Sequence, residues 1–267
     1  MSSSSVWIAI AVLLSLFLLY NLCFVLFHEK VVFQGAELAD DEVYDFKFPF
    51  EEVLLMPSSD AQLHGLLLKS DSSQGLILYF HGNRGNLARW GSIADGIRNK
   101  YRYDVLIMDY RGYGKSSGPR TEALLYQDAA FIYDYAAQLG YENIIIQGRS
   151  LGSAIATHLA ANRDVSQLIL ETPMTRIRDV IPVLDFLLIY KPWLKYEFNS
   201  LSRVDRIKCP ITIVHGTNDT IVPYELGLKM YKHISHPDKK LITINQGGHN
   251  NLDTFEAYQQ AMKRILK

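Results

Sequence analysis

The sequence predicts a three-layer α/β domain of about eight mostly parallel strands, behind an N-terminal transmembrane helix. Short β-rich runs alternate with helical stretches along the chain, and the run at 76–80 is apolar throughout. Strands buried on both faces have this composition, which is typical of parallel sheets covered by helices. The 267 residues, 48% of them hydrophobic and 21% charged, suffice for one large domain and exclude a mainly disordered chain.

The first element is an uncharged segment over residues 6–27, in which 15 of the 22 side chains are Val, Ile, Leu or Phe. A helix of this length reaches about 33 Å, against a hydrocarbon thickness of about 30 Å. We therefore expect residues 1–28 to form a single-pass membrane anchor. A cleaved secretory signal and a buried core helix are the alternatives, and the absence of a basic leading region disfavours cleavage. Lys30 follows the span and favours a cytoplasmic location for the domain that comes after it.

A juxtamembrane connector is expected over 29–50, followed by the α/β domain over 51–267. Phe46, Phe48 and Phe50 alternate with other residues, which predicts that the connector ends in a strand. Strands are predicted at 51–56, 62–69, 76–80, 104–108, 143–147, 168–171, 211–215 and 241–245. Helices are predicted at 87–98, 121–139, 150–161, 224–234 and 254–266.

The alternation of strand and helix is interrupted at 174–203. This stretch is rich in apolar and aromatic residues, carries Pro182 and Pro192, and is longer than an ordinary connection. It predicts a small helical cap insertion, whose apolar part over 181–193 would suit substrates presented at a bilayer. Ordinary lid helices that pack on the sheet without touching lipid are the alternative.

The candidate nucleophile is Ser150, within a Gly-Arg-Ser-Leu-Gly pattern that follows a predicted strand and precedes a helix-prone segment. A nucleophile at such a turn has a strained backbone, and flanking glycines leave room for it. The N-terminus of the next helix directs backbone N–H groups toward a developing oxyanion. A glycine-lined turn without catalytic function is the alternative, which the strand and helix on either side disfavour.

Two further residues each follow a later strand, and with Ser150 they have the chain order of a catalytic triad. Asp219 comes after the strand predicted at 211–215, and His249 comes after the strand that follows. Parallel strands present their carboxyl ends to one crevice, so these side chains are expected to meet Ser150 there. Ser150 would attack, His249 would transfer the proton, and Asp219 would orient the imidazole. Turn or loop functions are the alternatives for these two residues, and Asp253 is a reserve acid.

The second oxyanion donor is expected from the glycine-containing loop that begins at His81. We assign the oxyanion hole to the backbone N–H groups of Asn83 and Leu151. For His81, a structural hydrogen bond within the loop is the preferred interpretation. Arg84 and Arg149 could meet an anionic substrate group, and simple exposure explains them equally well.

Composition narrows the partners and cofactors. The 27 basic and 28 acidic side chains give a formal charge of −1, which excludes a nucleic-acid-binding arm. Cys23 and Cys209 are too few for a disulfide framework or the usual thiolate zinc sites. The predicted chemistry requires neither a metal nor a cofactor.

From about residue 51 to the C-terminus, the chain resembles the α/β-hydrolase superfamily. The resemblance rests on the pattern at 148–152, on the loop at 81–86 and on the glycine-rich run at 109–118, which could also serve only to shape a loop. With the N-terminal span, these motifs look like the membrane-anchored, single-pass branch. That branch comprises serine hydrolases of esters or thioesters, including lipid-like acyl groups and, in some animal relatives, palmitoylated proteins. Serine at 150, where relatives with dehalogenase or epoxide hydrolase activity have aspartate, argues against those chemistries.

The triad and the resemblance together predict a membrane-anchored serine hydrolase of the carboxylesterase or thioesterase class. It would cleave acyl esters or thioesters through an acyl-enzyme intermediate, and its substrate would be a lipid-like or acylated small molecule or an acyl-protein. A serine peptidase of the aminopeptidase type is the second hypothesis, although no acidic clamp for an N-terminal amine is evident. A non-catalytic hydrolase fold that serves as a binding module is the third.

Overall fold

The computed structural model describes residues 3–180 and 195–266. The helices are α1 (Ser3–Val32), α2 (Leu87–Tyr101), α3 (Glu122–Gln138), α4 (Leu151–Ala160), α5 (Tyr224–His233) and α6 (Glu256–Ile265). The strands are β1 (Gln34–Gly35), β2 (Glu51–Ser58), β3 (Ala61–Leu68), β4 (Leu76–Phe80), β5 (Arg84–Gly85), β6 (Asp104–Met108), β7 (Ile144–Arg149), β8 (Gln167–Glu171), β9 (Ile211–Gly216) and β10 (Lys239–Ile244).

Helix α1 contains a stretch, Ser3–Phe27, that is long and apolar enough to cross a membrane. Almost all of its side chains are exposed, so it is not a core helix of the domain. Its polar side chains bond to the preceding turn: Ser15 Oγ donates to Ala11 O at 2.8 Å, and Asn21 Nδ2 donates to Phe17 O at 2.9 Å. Such internal bonds lower the cost of polar side chains in an apolar surrounding. The helix continues four residues beyond the predicted boundary at 28.

Eight strands form one sheet in the order β10-β9-β8-β7-β4-β6-β3-β2. The five pairings from β10 to β6 are parallel, whereas β3 pairs antiparallel with both β6 and β2. Only two residues separate β2 from β3, which is enough for an antiparallel hairpin and too few for a parallel crossover. The predicted mostly parallel sheet is confirmed.

Helices cover both faces of this sheet, as the apolar strands require. Along β4, Leu76 and Leu78 face the core beneath α3, α4 and α5, and Ile77 and Tyr79 face the core beneath α2 and α6. All of these side chains are buried. Helices α2 and α3 begin at side-chain caps from Asn86 and Thr121. The three-layer architecture is therefore confirmed.

The strand predicted at the end of the connector is wrong. Residues 43–50 pair with no other strand, and the alternating aromatic rings pack on one another instead. Ring centroids are 4.7 Å apart for Phe46 and Phe48, and 5.4 Å for Tyr44 and Phe46. Phe46 also lies directly over the Cα of Gly91 in α2. The period of two thus reflects an aromatic cluster on the α2 face of the domain.

The predicted cap insertion at 174–203 is described only at its two ends. Its apolar centre at 181–193 lies outside the described residues. The segment Ile177–Val180 forms one 3₁₀ turn. On the other side, Tyr196 and Phe198 are buried, and both rings pack on Phe33 just after α1.

Candidate active site

The turn between β7 and α4 has the strained geometry expected of a nucleophile elbow. Ser150 has φ 54° and ψ −118°, a region that L-residues rarely occupy. A Cβ on Gly148 would lie 2.5 Å from Gly152 O, and a Cβ on Gly152 would lie 2.1 Å from Phe80 O. No side chain fits at either position. The close packing enforced by these glycines maintains the strain at Ser150.

The Ser150 hydroxyl is half-buried at the N-terminus of α4 and is not used as a helix cap. Its backbone is fixed from both sides, because Ser150 N donates to Glu171 O at 3.0 Å and Ser150 O accepts from Ser153 N at 3.0 Å. These bonds therefore fix the backbone position of Ser150, and its hydroxyl remains available for chemistry.

Asp219 and His249 form a hydrogen-bonded pair beyond the ends of β9 and β10. His249 Nδ1 lies 2.8 Å from Asp219 Oδ2, while Asp219 Oδ1 accepts from the backbone N–H groups of Ile221 and Val222 at 2.9 and 2.8 Å. An ionised carboxylate only accepts, so Nδ1 of His249 donates and Nε2 is left as the acceptor. The carboxylate is buried, whereas the imidazole is 10% exposed.

A second histidine, His215, contacts the same carboxylate and was missed at the level of sequence. Its Nε2 lies 3.4 Å from Asp219 Oδ2 and 2.9 Å from Val222 O. Burial alone raises the pKa of Asp219, but hydrogen bonds from His215, His249 and the Val222 N–H outweigh it and hold that pKa well below its usual range. The available signal was a histidine at the end of β9, four residues before the acid.

Arg149 ties the histidine loop to the elbow. Its side chain is buried, its Nη2 donates to His249 O at 2.8 Å, and its guanidinium lies 5.7 Å from the Trp90 ring centroid. The expected exposure of Arg149 is wrong, because its side chain is buried and donates to a backbone carbonyl inside the protein. A contact with an anionic substrate group stays a prediction. Arg149, the residue before Ser150, thus contacts the backbone of His249.

The loop that begins at His81 packs against the elbow through backbone contacts at Gly152. His81 Nδ1 lies 2.7 Å from Gly82 O, and His81 Nε2 lies 3.3 Å from Asp109 Oδ1, which agrees with the structural interpretation. Asn83 Oδ1 accepts from Tyr113 Oη at 2.7 Å, so this side chain serves the loop. The use of the Asn83 and Leu151 N–H groups as oxyanion donors stays a prediction.

Two other candidates lie apart from this chemistry. Asp253 is exposed in the 3₁₀ turn Leu252–Thr254, and its backbone carbonyl accepts from Gln259 Nε2 at 2.9 Å. Arg84 is exposed and donates through Nε to Gln34 Oε1 at 2.6 Å. Among the described residues, no group of three His, Cys, Asp or Glu side chains is placed to hold a metal ion.

Two family models match parts of the α/β domain. The model described as alpha/beta hydrolase fold matches residues 75–199, and the model described as Serine aminopeptidase, S33 matches residues 198–256. Both matches cover segments that contain the candidate residues described above.

Curated relatives share about three tenths of the aligned residues. Human alpha/beta hydrolase domain-containing protein 17B is 29% identical over 204 residues, which cover 74% of this chain and 68% of the relative. The lysophosphatidylserine lipase ABHD12 of Danio rerio is 33% identical over 180 residues, which cover 60% of this chain and 47% of the relative. The chain thus spans from about half to two thirds of the length of these relatives.

Solved structures of esterases and lipases share the fold. The Pyrococcus furiosus esterase Pf2001 superposes with a TM-score of 0.68 at 18% identity, covering 88% of this chain and 97% of the esterase. The Paleococcus ferrophilus monoacylglycerol lipase superposes with a TM-score of 0.61 at 18% identity, covering 76% of this chain and 98% of the lipase.

Proposed function

Because the chain belongs to the α/β-hydrolase superfamily, we propose that Ser150, His249 and Asp219 form the catalytic triad of a membrane-anchored serine hydrolase. The observation that carries this proposal is the 2.8 Å hydrogen bond between His249 Nδ1 and Asp219 Oδ2, on a loop bonded to the nucleophile strand through Arg149. That bond leaves His249 Nε2 as the proton acceptor.

The proposed reaction proceeds in two balanced steps. Ser150 Oγ attacks the acyl carbon while its proton passes to His249 Nε2, and the imidazolium then protonates the leaving alcohol or thiol. Water next attacks the acyl-enzyme and gives a proton to His249. The imidazolium then donates that proton to Ser150 Oγ as the carboxylic acid leaves, which restores the free enzyme. Asp219 stabilises the imidazolium in both steps, a function that its low pKa supports because the carboxylate stays ionised.

The tetrahedral oxyanion would be bound by the backbone N–H groups of Asn83 and Leu151. Leu151 is the first residue of α4, where N–H groups lack helical acceptors and the helix dipole favours negative charge. Loss of one oxyanion donor in other enzymes raises the barrier by about 3 to 4 kcal/mol. Backbone donors cannot be deleted by a side-chain change, so supporting contacts must be perturbed instead.

The proposed substrates are lipid-like acyl esters or thioesters. The apolar helix α1 would place the domain at a membrane surface, with Lys30 favouring a cytoplasmic side. A relative named as a lysophosphatidylserine lipase and a structural neighbour named as a monoacylglycerol lipase support this class of substrate.

The nucleophile is tested by labelling detergent-solubilised full-length protein with a fluorophosphonate probe. The wild type should label and Ser150→Ala should not, while Ser72→Ala, a change at an exposed turn serine, should label like the wild type. Equal labelling of the wild type and Ser150→Ala would remove the hydrolase assignment.

A panel of substrates separates the esterase from its second candidate, a serine peptidase, which the match over residues 198–256 supports. Short- and long-chain p-nitrophenyl esters and acyl thioesters are compared with aminoacyl amides. We expect the highest kcat/KM for acyl esters or thioesters. Hydrolysis of the amides alone would reverse this order.

A further inference from the structure

The residues that directly follow helix α1 contact a loop of the candidate active site. Strand β1 begins two residues after the helix ends, and it pairs in parallel with β5, with Gln34 opposite Arg84 and Gly35 opposite Gly85. Strand β5 is the part of the loop that directly follows Asn83. The chain that directly follows the apolar helix is thus bonded to the loop that carries a proposed oxyanion donor.

The contacts converge on the side chain of Asn83. Its Oδ1 accepts from Gln34 N at 3.1 Å and from Tyr113 Oη at 2.7 Å. The Gln34 side chain adds a further bond, since its Oε1 accepts from Arg84 Nε at 2.6 Å. Asn83 is therefore fixed on one side by β1 and on the other by a tyrosine of the 109–118 loop.

The segment that follows β1 is bound to both loops. Ala36 O accepts from Asn86 Nδ2 and from Gly114 N, each at 2.9 Å, and Leu38 N donates to Gly114 O at 2.8 Å. These bonds lie between the 81–86 loop and the 109–118 loop. Residues 34–36 consequently bridge two loops that have no strand pairing with each other among the described residues.

Gly35 permits this bridge because a larger residue would have no room for its side chain beside Tyr113. A Cβ at this position would lie 2.5 Å from the Tyr113 ring. The neighbouring loop needs such support, since Gly85 has φ 82° and glycine backbones are the least restrained. A catalytic donor held by a loop must stay within about 0.5 Å of its productive position.

We propose that Gln34–Gly35 and Ala36 are positioning residues that hold the Asn83 N–H in place for the oxyanion. This inference rests on the proposed function, because it takes Asn83 as an oxyanion donor. The juxtamembrane residues 34–36 would then have a second function besides connecting the anchor to the domain, because they support the active-site loop.

The decisive variant is Gly35→Ala, with Gly96→Ala as the matched control, because a Cβ at Gly96 meets nothing within 4 Å. Both are measured as full-length protein in detergent with an acyl p-nitrophenyl ester. We expect Gly35→Ala to lower kcat by 10- to 100-fold with KM within twofold of the wild type, and Gly96→Ala to match the wild type. A donor lost completely costs roughly 100- to 1000-fold, and displacement should cost less.

A transition-state analogue separates positioning from a general loss of structure. A long-chain alkyl trifluoromethyl ketone accepts Ser150 Oγ at its carbonyl carbon and passes the negative charge to the oxygen, so its affinity reports the oxyanion hole. Its inhibition constant should rise in Gly35→Ala by the same factor as kcat/KM falls, while inhibition by a fatty-acid product stays unchanged. Misfolding would lower the labelled fraction and leave the inhibition constant of the remaining enzyme unaltered.

Gln34→Ala is the milder second variant, expected to lower kcat two- to fivefold with a parallel change in the inhibition constant. It decides the question if Gly35→Ala does not fold. Wild-type kcat in either folded variant, or a lower kcat with an unchanged inhibition constant, would overturn the positioning proposal. A wild-type protein that neither hydrolyses esters nor binds the ketone through Ser150 would instead refute the proposed function itself.

A replacement of residues 6–27 by another apolar segment of equal length locates the effect. This variant should retain wild-type kcat in detergent, because β1 and its contacts are unchanged. A loss as large as that of Gly35→Ala would place the dependence in the apolar helix and overturn the assignment to residues 34–36.

Discussion

Two histidine–aspartate pairs lie at the carboxyl edge of the sheet, with the same chemical groups and different surroundings. In the His249–Asp219 pair the nitrogen and oxygen are 2.8 Å apart, and the imidazole is 10% exposed. In the His81–Asp109 pair they are 3.3 Å apart, and both side chains are completely buried. Asp109 Oδ2 also accepts from Leu87 N at 3.1 Å.

The difference lies in what each imidazole can reach. The His81 ring is enclosed by Trp90 and Tyr110, with ring centroids 5.5 and 4.3 Å away. His249 lies on a loop bonded to the residue before Ser150 and keeps contact with solvent. We infer that one pair serves proton transfer and the other serves the stability of a loop, although their composition is identical.

Removal of the His249 imidazole should affect the rate far more than the fold. His249→Ala is expected to lower kcat for an acyl p-nitrophenyl ester by at least about 10⁴-fold, because no base remains for Ser150. The free energy of unfolding should change by about 1 kcal/mol or less. Initial rates and urea unfolding measure both effects, with His233→Ala, an exposed histidine at the end of α5, as the control. Retention of more than about 1% of kcat would contradict a proton-transfer function.

Asp219→Asn should lower kcat by about 10³- to 10⁴-fold, because an amide stabilises the wrong imidazole tautomer. The same change tests the low pKa of Asp219. A carboxyl whose pKa is lower in the folded state stabilises the protein above the ordinary aspartate pKa of about 3.9, and that contribution is lost as pH falls further. The stability deficit of the variant should therefore be larger at pH 7 than at pH 3 in urea unfolding. Asp253→Asn is the control, and a similar loss there would favour the reserve acid.

Asp109→Ala should reverse the balance between rate and stability. It leaves the buried Leu87 N–H without its acceptor and removes the carboxylate that lies 3.3 Å from His81 Nε2, so the free energy of unfolding should fall by about 3 kcal/mol. The kcat per active site, counted by fluorophosphonate titration, should fall less than about 100-fold. The exposed Asp71→Ala should alter neither quantity. A 10⁴-fold loss of kcat in stably folded Asp109→Ala would assign the buried pair to catalysis.

A histidine without a carboxylate pair should give the smallest effect. Burial lowers the pKa of His158 to about 4, assisted by Arg203 and Arg206, and its ring stacks on Tyr126 at 3.8 Å. Below the ordinary histidine pKa of about 6.5 the unfolded chain takes up a proton that the folded protein does not, so stability falls as pH drops from 6.5 to 4. Allowing for partial exposure, the decrease should be about 1 to 2 kcal/mol. His158→Gln should abolish this part of the pH dependence in urea unfolding.

The elements that carry the candidate residues could be predicted because their signals are local. The apolar run of β7, with glycines at 148 and 152 on either side of Ser150, specifies the elbow. Asp219 and His249 each lie just beyond a strand that the apolar pattern identifies. Strands β4 and β6 have the predicted bounds, and the ends of the other six predicted strands differ from the prediction by at most two residues. Chain order then predicted which acid and which base would pair.

The remaining features depend on contacts between distant residues, which a periodic pattern does not encode. The aromatic cluster at Phe46 and Phe48 has the period of a strand and none of its pairing. Arg149 looked exposed by residue type, and its burial follows from Trp90 and the His249 carbonyl. Strand β1 has only two residues and forms through Asn83 and Arg84, 49 and 50 positions away from Gln34.

The short connection between α1 and β1 limits the distance between the apolar helix and the loop that β1 contacts. Gln34 lies seven positions after Phe27, and most of the six residues between them are helical, which corresponds to a rise of about 10 Å. In the proposed membrane-anchored form, this segment would keep the 81–86 loop within about 10 Å of the hydrocarbon core. An ester would then be found by lateral diffusion in the plane of the leaflet, and an acyl chain would need to rise only partly out of it to be cleaved.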